Sequence, residues 1–544
     1  MTQNYSSLLR AFFPSSSSVS SCPIMAQTDL ERNLDPSEVI LEKDEFAEDE
    51  ARSSSKLSSR WKRVTGKLLT WGVETRGIQP VPFEERTDEQ FFKIFFLWFT
   101  TNFGILSFSA GTLGPAVYSL SKGDSCLVIL FFNLLCCTPV AYFVTWGPKL
   151  GMRQMIQARY SFGYYGVIIP SILNLIGGFG FCILGCIVGG QTLASVTDGR
   201  MSWTVGIVII TAIALFLTFC GYNVLNWRVP YDRLGWIPVL VCFLVALGLG
   251  GKHLSTPAPA ESATAASVLS FGSVIAGFVI AWAPMASDFT SYYRPDVASW
   301  KMALYSYTGL MLSNAGLQIL GAAVASVAPL IPSWNDGWNL GGASNVGGLL
   351  QAMLSPVGNF GKFLTVLLSL SVTANIATTM YSMCLNFQIL IPKLVVVPRY
   401  VFSLVATAIV LPLAIVGSHR FYDTLENFLA LVAYWVSEFV AIVLVEHFVY
   451  RRRNQTPDLD ISYSTTMGYN ITQWNRPSQL PTGIPALAAL VLPYGLITPS
   501  MNQVLFVGPI GEKTGDIGFE VAFFLCGLLY LILRGLEVKW RGKV

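Results

Sequence analysis

Apolar residues along this chain are grouped into long blocks separated by polar residues. Runs such as 167–189, 204–219 and 400–416 contain no charged residue. Since a helix needs about 20 apolar residues to cross a bilayer, we predict about twelve membrane-spanning helices and an all-α membrane protein. The predicted spans are 93–118, 127–147, 167–195, 203–221, 235–250, 270–291, 303–327, 361–390, 400–417, 425–449, 481–499 and 518–535.

Two of the predicted spans contain residues that interrupt a helix. The first span carries Ser-Ala-Gly-Thr-Leu-Gly-Pro at 109–115, and the sixth carries Ala281-Trp282-Ala283-Pro284. Proline removes a backbone donor, and a bilayer tolerates a broken helix only where protein or a cavity surrounds it. Breaks at matching positions in two halves of a chain are typical of secondary transporters built from inverted repeats. The pattern therefore predicts a carrier of a small solute.

Composition and charge placement agree with a multi-pass membrane protein. Of the 544 residues, 53% are hydrophobic and 12% are charged, which is about half the charged share of a soluble domain. Basic residues collect in alternate loops, which the positive-inside rule identifies as cytosolic. They are Lys149, Arg153, Arg159, Arg228, Arg233, Arg294, Lys301, Lys393, Arg399, Arg451, Arg452, Arg453 and Arg476. An even number of spans with both termini in the cytosol follows.

The predicted spans divide the chain into five regions. Residues 1–90 are polar and of low complexity, so we expect a disordered cytosolic tail; whether residues 1–24 belong to the mature protein stays open. The others are a ten-helix transport core at 91–450, a cytosolic loop at 451–480, two C-terminal transmembrane helices at 481–535 and a cytosolic C-terminus at 536–544.

The sixth span offers two candidate functional residues. Trp282 lies at the predicted break, near the bilayer midplane, where an indole can stack on a flat heterocycle; packing between helices is the alternative interpretation. Asp288 lies near the inner end of the same span. Its carboxylate is either solvated or part of a gate on the cytosolic side.

The eighth and tenth spans add two more polar candidates. Asn375 lies in mid-span, where an amide is costly unless it is paired. Because an amide both donates and accepts, it suits the edge of a nucleobase, although a hydrogen bond between helices is the alternative. Glu438 is the most central carboxylate in any predicted span, and it is either a coupling group that carries a proton or a paired structural residue.

A metal centre and an enzyme active site are not expected. The ten cysteines lack metal-binding spacing, and the three histidines, His253, His419 and His447, are scattered near predicted span ends. No nucleophile–base pair lies in the spans. We therefore expect no metal, no cofactor and no enzymatic activity, and a small-molecule substrate and the lipid bilayer as partners without nucleic acid.

Several motifs in order resemble those of the fungal purine–cytosine permeases of the nucleobase:cation symporter-1 family. The resemblance runs from about Val73 to the C-terminus. It rests on Trp98-Phe99-Thr100-Thr101-Asn102, Ser107–Pro115, Leu150-Gly151-Met152-Arg153-Gln154-Met155-Ile156, Arg159-Tyr160, Val268–Ser273, Trp282, Glu446-His447-Phe448, Tyr450-Arg451-Arg452 and Gly515–Glu520.

The resemblance implies a five-plus-five inverted repeat in which helices 1 and 6 are broken and the substrate lies against spans 3 and 8. It also implies proton-coupled uptake of cytosine, adenine, guanine or hypoxanthine across the plasma membrane. Trp282 matches the family's tryptophan of span 6, and Asn375 matches its first asparagine of span 8. Thr100 stands where the family usually has serine. Trp282 would stack the ring and Asn375 would recognise its edge, with Thr100 and Thr379 as weaker contacts.

The chain departs from the family pattern at two positions in span 3 and at further positions in span 8. Phe181 and Gly185 stand where the family has tryptophan and asparagine, and 375–379 reads Asn-Ile-Ala-Thr-Thr instead of Asn-Asn-Ile-Pro-Asn. Lost amides should change selectivity strongly, because unpaired polar edges are penalised. The alternatives are therefore the same fold carrying a vitamin-B6-like or other heterocycle, and a nutrient sensor that does not transport.

Overall fold

The computed structural model describes most of the predicted spans. The described residues are 77–197, 200–227, 234–258, 262–342, 344–390, 397, 399–452, 465–542 and 544. Most of the predicted tail, 1–76, lies outside them, as does part of the predicted loop at 451–480. Residues 77–90, predicted as tail, are folded and include the 3-10 turn Phe83–Glu85.

The helices of the first half follow the predicted apolar blocks. They are α1 (Lys93–Asn102), α2 (Ile105–Ala116), α3 (Lys122–Val144), α4 (Trp146–Leu150), α5 (Gln154–Gln157), α6 (Arg159–Gly166), α7 (Ile168–Ser195), α8 (Trp203–Trp227), α9 (Trp236–Gly250) and α10 (Ala265–Ile280). A 3-10 turn at Gly251–Ser255 follows α9, and a longer 3-10 segment, Ala283–Phe289, continues the span of α10.

The second half also contains both long and short helices. They are α11 (Ser299–Val327), α12 (Pro332–Trp338), α13 (Val346–Leu354), α14 (Asn359–Leu370), α15 (Val372–Leu390), α16 (Arg399–Gly417), α17 (Phe421–Val445), α18 (Ile484–Val491), α19 (Tyr494–Ser500), α20 (Gly511–Thr514) and α21 (Gly518–Arg541). A π-helical turn, Glu446–Arg451, extends α17. Strands β1 (Thr465–Thr466) and β2 (Tyr469–Asn470) form a small antiparallel hairpin.

The described helices are consistent with about twelve spans. By length and apolarity, eight can cross a membrane, or nine when the bent pair α1–α2 is one span. The apolar stretch Val401–Arg451 contains two of the predicted spans, α16 and α17, which the 3-10 turn Ser418–Arg420 separates. The shorter apolar helices Trp203–Thr218 and Ile484–Ser500 match predicted spans four and eleven.

The first span is broken, but not at the residues that the sequence indicated. Its two helices meet at 56°, and the break lies at Phe103 and Gly104, where Gly104 is extended. The run 109–115 is helical. Its glycines serve close packing instead, since a Cβ on Gly111 would lie 1.9 Å from the main-chain oxygen of Gln318.

The α-helix of the sixth span is interrupted where the sequence predicted, without the sharp bend of the first span. Helix α10 ends at Ile280, and the 3-10 segment begins with Pro284 in its first turn. Pro284 has no N–H to donate, so it fits the first turn of a new helical segment better than the interior of a continuous helix. Trp282 therefore lies between the two segments.

The spans pack as two groups of helices. The first group contains α2, α3, α10 and α11, and the second contains α7, α8, α15 and α16. Helix α17 lies against α10 on one side and α21 on another, and it also contacts α7. Helix α1 contacts α11 in the first group and α15 in the second, so the break in the first span lies between the groups.

One side of the helix layer, here called the N-terminal face, carries residues 77–92 and the connections after α3 and the sixth span. Arg86 docks this segment by donating to the carbonyl oxygens of Pro148, Lys149 and Leu150 at the end of α4. Burial lowers the pKa of the Arg86 guanidinium from its ordinary value. The Asp88 N–H also donates to the carbonyl of Tyr292 at 3.2 Å. Segment 77–92 thus joins the start of α1 to both neighbouring connections.

A buried ion network closes the N-terminal face beside the last span. Glu446 accepts from Arg451 at 2.8 Å and from Arg534 at 3.0 Å. Arg534 has no exposed side-chain surface and also pairs with Glu537 at 2.7 Å. Because each buried charge has an opposite charge in contact, α21 is tied to the end of α17.

We predict that Gly111→Ala destabilises the protein, because the added Cβ would overlap the main chain of Gln318 and force α2 and α11 apart. Overpacking of this kind costs about 1–3 kcal/mol, which should lower the melting temperature of the purified protein. Gly316→Ala on α11 is the control, since an added Cβ there meets nothing within 4 Å. Equal melting temperatures for the two variants would contradict the tight contact.

Candidate functional site

Trp282 joins the two broken spans through a hydrogen bond. Its indole N–H donates to Oδ1 of Asn102, the last residue of α1, at 3.0 Å. Asn102 is itself oriented by its Nδ2, which donates to the carbonyl of Trp98 at 3.0 Å. The Trp98 ring meets that of Trp282 edge-on, with centroids 5.3 Å apart. Because its N–H already has an acceptor, Trp282 offers a ligand its ring.

Asn375 presents a hydrogen-bond acceptor close to the first break. It lies on α15, and its Nδ2 donates to the carbonyl of Thr101 at 3.2 Å. Within the described part of the chain its Oδ1 has no partner, although the side chain is only 5% exposed. The hydroxyls of Thr101 and Thr378 are 3.2 Å apart and add a second contact between α1 and α15. An amide held in this way can accept one hydrogen bond from a bound solute.

The two threonine candidates lie on the same pair of helices. Thr100 is on α1 between Trp98 and Asn102, and it is 6% exposed. Thr379 is buried on α15, one turn after Asn375. The structure therefore brings Trp282, Asn375 and the α1 segment together around one place between the two helix groups.

Helix α7 contributes an aromatic contact and a packing contact. The Phe181 ring meets Phe278 at 5.9 Å and Phe428 at 5.1 Å, edge-on in both cases. Phe278 lies in α10, one turn before Trp282. A Cβ on Gly185 would lie 3.1 Å from Cγ1 of Ile376, the residue after Asn375. Gly185 therefore allows α7 and α15 to approach, and a larger residue there would first displace Ile376.

Asp288 lies toward the N-terminal face and joins three segments. One carboxylate oxygen accepts from the main-chain N–H of Gln154 at 2.9 Å, and the other accepts from the Ser382 hydroxyl on α15. Arg153 donates to the main-chain carbonyl of Asp288 and to the Tyr381 hydroxyl at 3.1 Å. The Asp288 side chain is thus part of a contact between the sixth span and the second helix group.

Glu438 lies elsewhere in the fold. It is fully buried on α17, and within the described residues neither carboxylate oxygen has a hydrogen-bond partner. Its titratable neighbours are Tyr494 and Cys526. The structure therefore places Glu438 with the C-terminal spans and does not bring it into the Trp282 site.

Sequence reasoning missed Asn102, Arg153 and Ser382 as functional candidates. Asn102 had a detectable signal, because it is an amide inside an apolar span two residues before Gly104. Arg153 was assigned to the charge pattern of the loops. Ser382 carries no local signal, since its role depends on a partner 94 residues away in the chain.

Comparison with known proteins identifies the family. Residues 80–508 match the family described as "Permease for cytosine/purines, uracil, thiamine, allantoin". The chain belongs to this family. It is 35% identical over 491 residues to purine-cytosine permease fcyB of Emericella nidulans, covering 89% of this chain and 93% of that one. It is also 35% identical to purine-cytosine permease FCY2 of Saccharomyces cerevisiae, covering 87% of each.

Two more distant comparisons concern the fold and a relative that is named for a different substrate. The solved structure of Mhp1, a nucleobase-cation-symport-1 family transporter in a closed conformation with bromovinylhydantoin bound, has a TM-score of 0.63 at 17% identity. It covers 85% of this chain and 96% of that one. Vitamin B6 transporter TPN1 of Saccharomyces cerevisiae is 27% identical over 88% of this chain and 90% of its own length. The predicted family, the all-α transporter fold and the absence of enzymatic function are confirmed, and the permease is a multi-pass membrane protein.

We predict that Trp282→Phe destabilises the permease even without substrate, because Oδ1 of Asn102 would stay buried without its donor. An unsatisfied buried acceptor costs about 1–3 kcal/mol, measurable as a lower melting temperature of the purified protein. Adding Asn102→Leu should recover part of the loss, since both polar partners are then absent. Strictly additive losses in the double variant would show that the two side chains are not coupled.

Proposed function

We propose that this permease is a symporter that takes up purine bases and cytosine across the plasma membrane together with protons. The proposal rests chiefly on one observation. Among the residues that the structure describes, Oδ1 of Asn375 has no partner, and it lies beside the Trp282–Asn102 bond that joins both helix breaks. The relatives that are 35% identical are named purine-cytosine permeases. A flat ring with N–H donors on its edge suits both parts of this site.

In the proposed site, the base stacks on the Trp282 ring and one of its N–H groups donates to Oδ1 of Asn375. Base–aromatic stacking is worth about 1–3 kcal/mol. Thr100 and Thr379 supply weaker polar contacts, and Phe181 and Gly185 shape the side formed by α7. The indole N–H of Trp282 takes no part in base recognition, because Asn102 already accepts it.

Transport follows from movement of the two helix groups relative to each other. We place the N-terminal face in the cytosol, because the basic loop residues lie on that side, and the substrate site then lies between a cytosolic and an external opening. A proton that enters together with each base contributes about 2.3 kcal/mol of free energy per 100 mV of membrane potential. That gain supports roughly fifty-fold accumulation of the base.

The first experiment measures uptake of radiolabelled cytosine, adenine, hypoxanthine and pyridoxine in cells that lack their own carriers, at pH 5 and pH 7.5. We expect saturable entry of a base that is faster at pH 5. Trp282→Ala should weaken it about 5- to 150-fold in apparent affinity, the loss of about 1–3 kcal/mol of stacking. Trp540→Ala, at an 81% exposed position, should leave uptake unchanged.

The outcomes of this experiment separate the alternatives. Uptake of pyridoxine without any base would show that Gly185 and the 375–379 sequence redirect the permease to a vitamin-B6-like ring. A surface-expressed protein that transports nothing, and that binds a base in liposomes without moving it, would favour the sensor. Equal uptake by Trp282→Ala and wild type would overturn the proposed site.

A separate prediction concerns Asn375. Asn375→Ala removes the acceptor, and a base N–H would then be buried without a partner at a cost of about 1–3 kcal/mol. We expect a 5- to 150-fold higher KM for the transported base, with smaller loss for an analogue whose edge N–H is replaced by an acceptor atom. Asn339→Ala, an exposed amide outside the site, is the matched control. An equal effect on base and analogue would show that Asn375 does not recognise that edge.

A further inference from the structure

Asp288 is hydrogen-bonded across the boundary between the sixth span and the second helix group. This boundary must open if the substrate is to be released at the N-terminal face. Its own segment, Ala283–Phe289, packs against α3 and α17, whereas Ser382 belongs to α15 in the second helix group. We propose that Asp288 binds the co-transported proton and that its protonation unlocks the N-terminal face. This inference rests on the proposed function, since it names the group that couples proton and base.

The chemistry of the contact makes it sensitive to a proton. Two partners of the carboxylate are donors, the Gln154 main-chain N–H at 2.9 Å and the Ser382 hydroxyl. An ionised carboxylate accepts both bonds, and such charge-assisted bonds are roughly twice as strong as neutral ones. A proton on the carboxylate turns one oxygen into a donor. The Ser382 hydroxyl can accept from that donor, but the bond is then neutral and about half as strong, so protonation weakens the connection between the sixth span and α15.

A buried cation beside the contact adds a driving force for opening. Arg153 is 1% exposed, and its guanidinium lies over the rings of Tyr292 and Tyr381 at 5.4 and 5.7 Å. While Asp288 is ionised, its negative charge compensates this neighbour. Protonation removes one negative charge from beside this buried cation, which raises the cost of keeping the cation out of water. Opening to the aqueous side restores its solvation.

Other charged groups on the packed elements do not replace Asp288 in this role. Lys149 lies on α4, Lys122 and Asp124 lie at the far end of α3, and Asp423, Glu426 and Glu438 lie on α17. Within the described residues, Glu438 has no hydrogen bond that its protonation could break. Asp288 is the carboxylate whose described bonds connect the sixth span with the second helix group.

An aromatic chain links the proposed proton site to the substrate site. Phe289, next to Asp288, meets the Trp98 ring at 5.5 Å and the Tyr381 ring at 5.8 Å. Trp98 in turn contacts Trp282. A base that shifts Trp282 therefore also shifts, through Trp98 and Phe289, the segment that holds the carboxylate. In this way binding of the base is coupled to binding of the proton.

The test compares Asp288→Asn with wild type in proteoliposomes, with cytosine as the probe. Asparagine imitates the protonated acid, so we expect exchange of labelled for unlabelled cytosine to persist. Accumulation driven by a 100 mV potential should fall from roughly fifty-fold to about one-fold, and cytosine-driven proton entry, read with an internal pH dye, should disappear. Asp296→Asn, whose carboxylate is 64% exposed and paired with Arg294, is the control and should behave as wild type.

A second variant keeps the proposal testable if Asp288→Asn does not fold. Ser382→Ala retains the titratable carboxylate but removes one donor to its ionised form. We expect proton entry to persist and the acid stimulation of cytosine uptake to begin at a higher pH. An unshifted pH profile in Ser382→Ala would overturn the proposal.

The remaining outcomes are distinguishable. Full accumulation by Asp288→Asn, or loss of proton entry in Glu438→Gln with Asp288→Asn unaffected, would overturn the assignment of Asp288. If wild type fails to exchange cytosine and every other base, the proposed function itself has failed. If wild type exchanges a base but carries no proton, base transport stands and the assignment of Asp288 is wrong.

Discussion

The fold depends on the rule that a chain inside a bilayer must satisfy its own backbone groups. At the first break the Ile105 N–H has no helical acceptor and donates to the Ser371 hydroxyl at 3.1 Å. This bond requires the junction of α14 and α15 to lie against the break. At the sixth span the Trp282 side chain is held in the same way by Asn102. Polar groups therefore gather where the helices are interrupted, and the proposed substrate site uses polar groups of the same place.

Three polar contacts of modest strength join α1 and the sixth span to α15. Asn375 bonds to the carbonyl of Thr101, Thr101 meets Thr378, and Asp288 meets Ser382. A net hydrogen bond contributes about 0.5–1.5 kcal/mol, so the described set is comparable to the free energy of one charge crossing 100 mV, about 2.3 kcal/mol. Under the proposed symport, these segments separate and rejoin at a cost that an ion gradient can supply.

The sequence predicted the spans and the break at Trp282, because apolar blocks and an internal proline act locally. It misplaced the first break, since the glycines at 109–115 can either interrupt a helix or let another helix approach, and only the position of α11 decides between these roles. Asn375 was identified from its cost in hydrocarbon, but the partner that orients it was not. The Asp288 contacts could not be predicted, because they join residues that the chain brings together from 134 and 94 positions away.

The glycine contact between α2 and α11 has a mechanical consequence. Gly111 lies against the main chain of Gln318, and Gly321 lies against that of Phe108, where a Cβ would come within 2.1 Å of the carbonyl oxygen. With backbone against backbone, neither helix has room to slide or roll past the other. The pair therefore behaves as one rigid unit, and because Gly309 of α11 also lies close to the main chain of Phe95 in α1, α11 supports both halves of the broken first span.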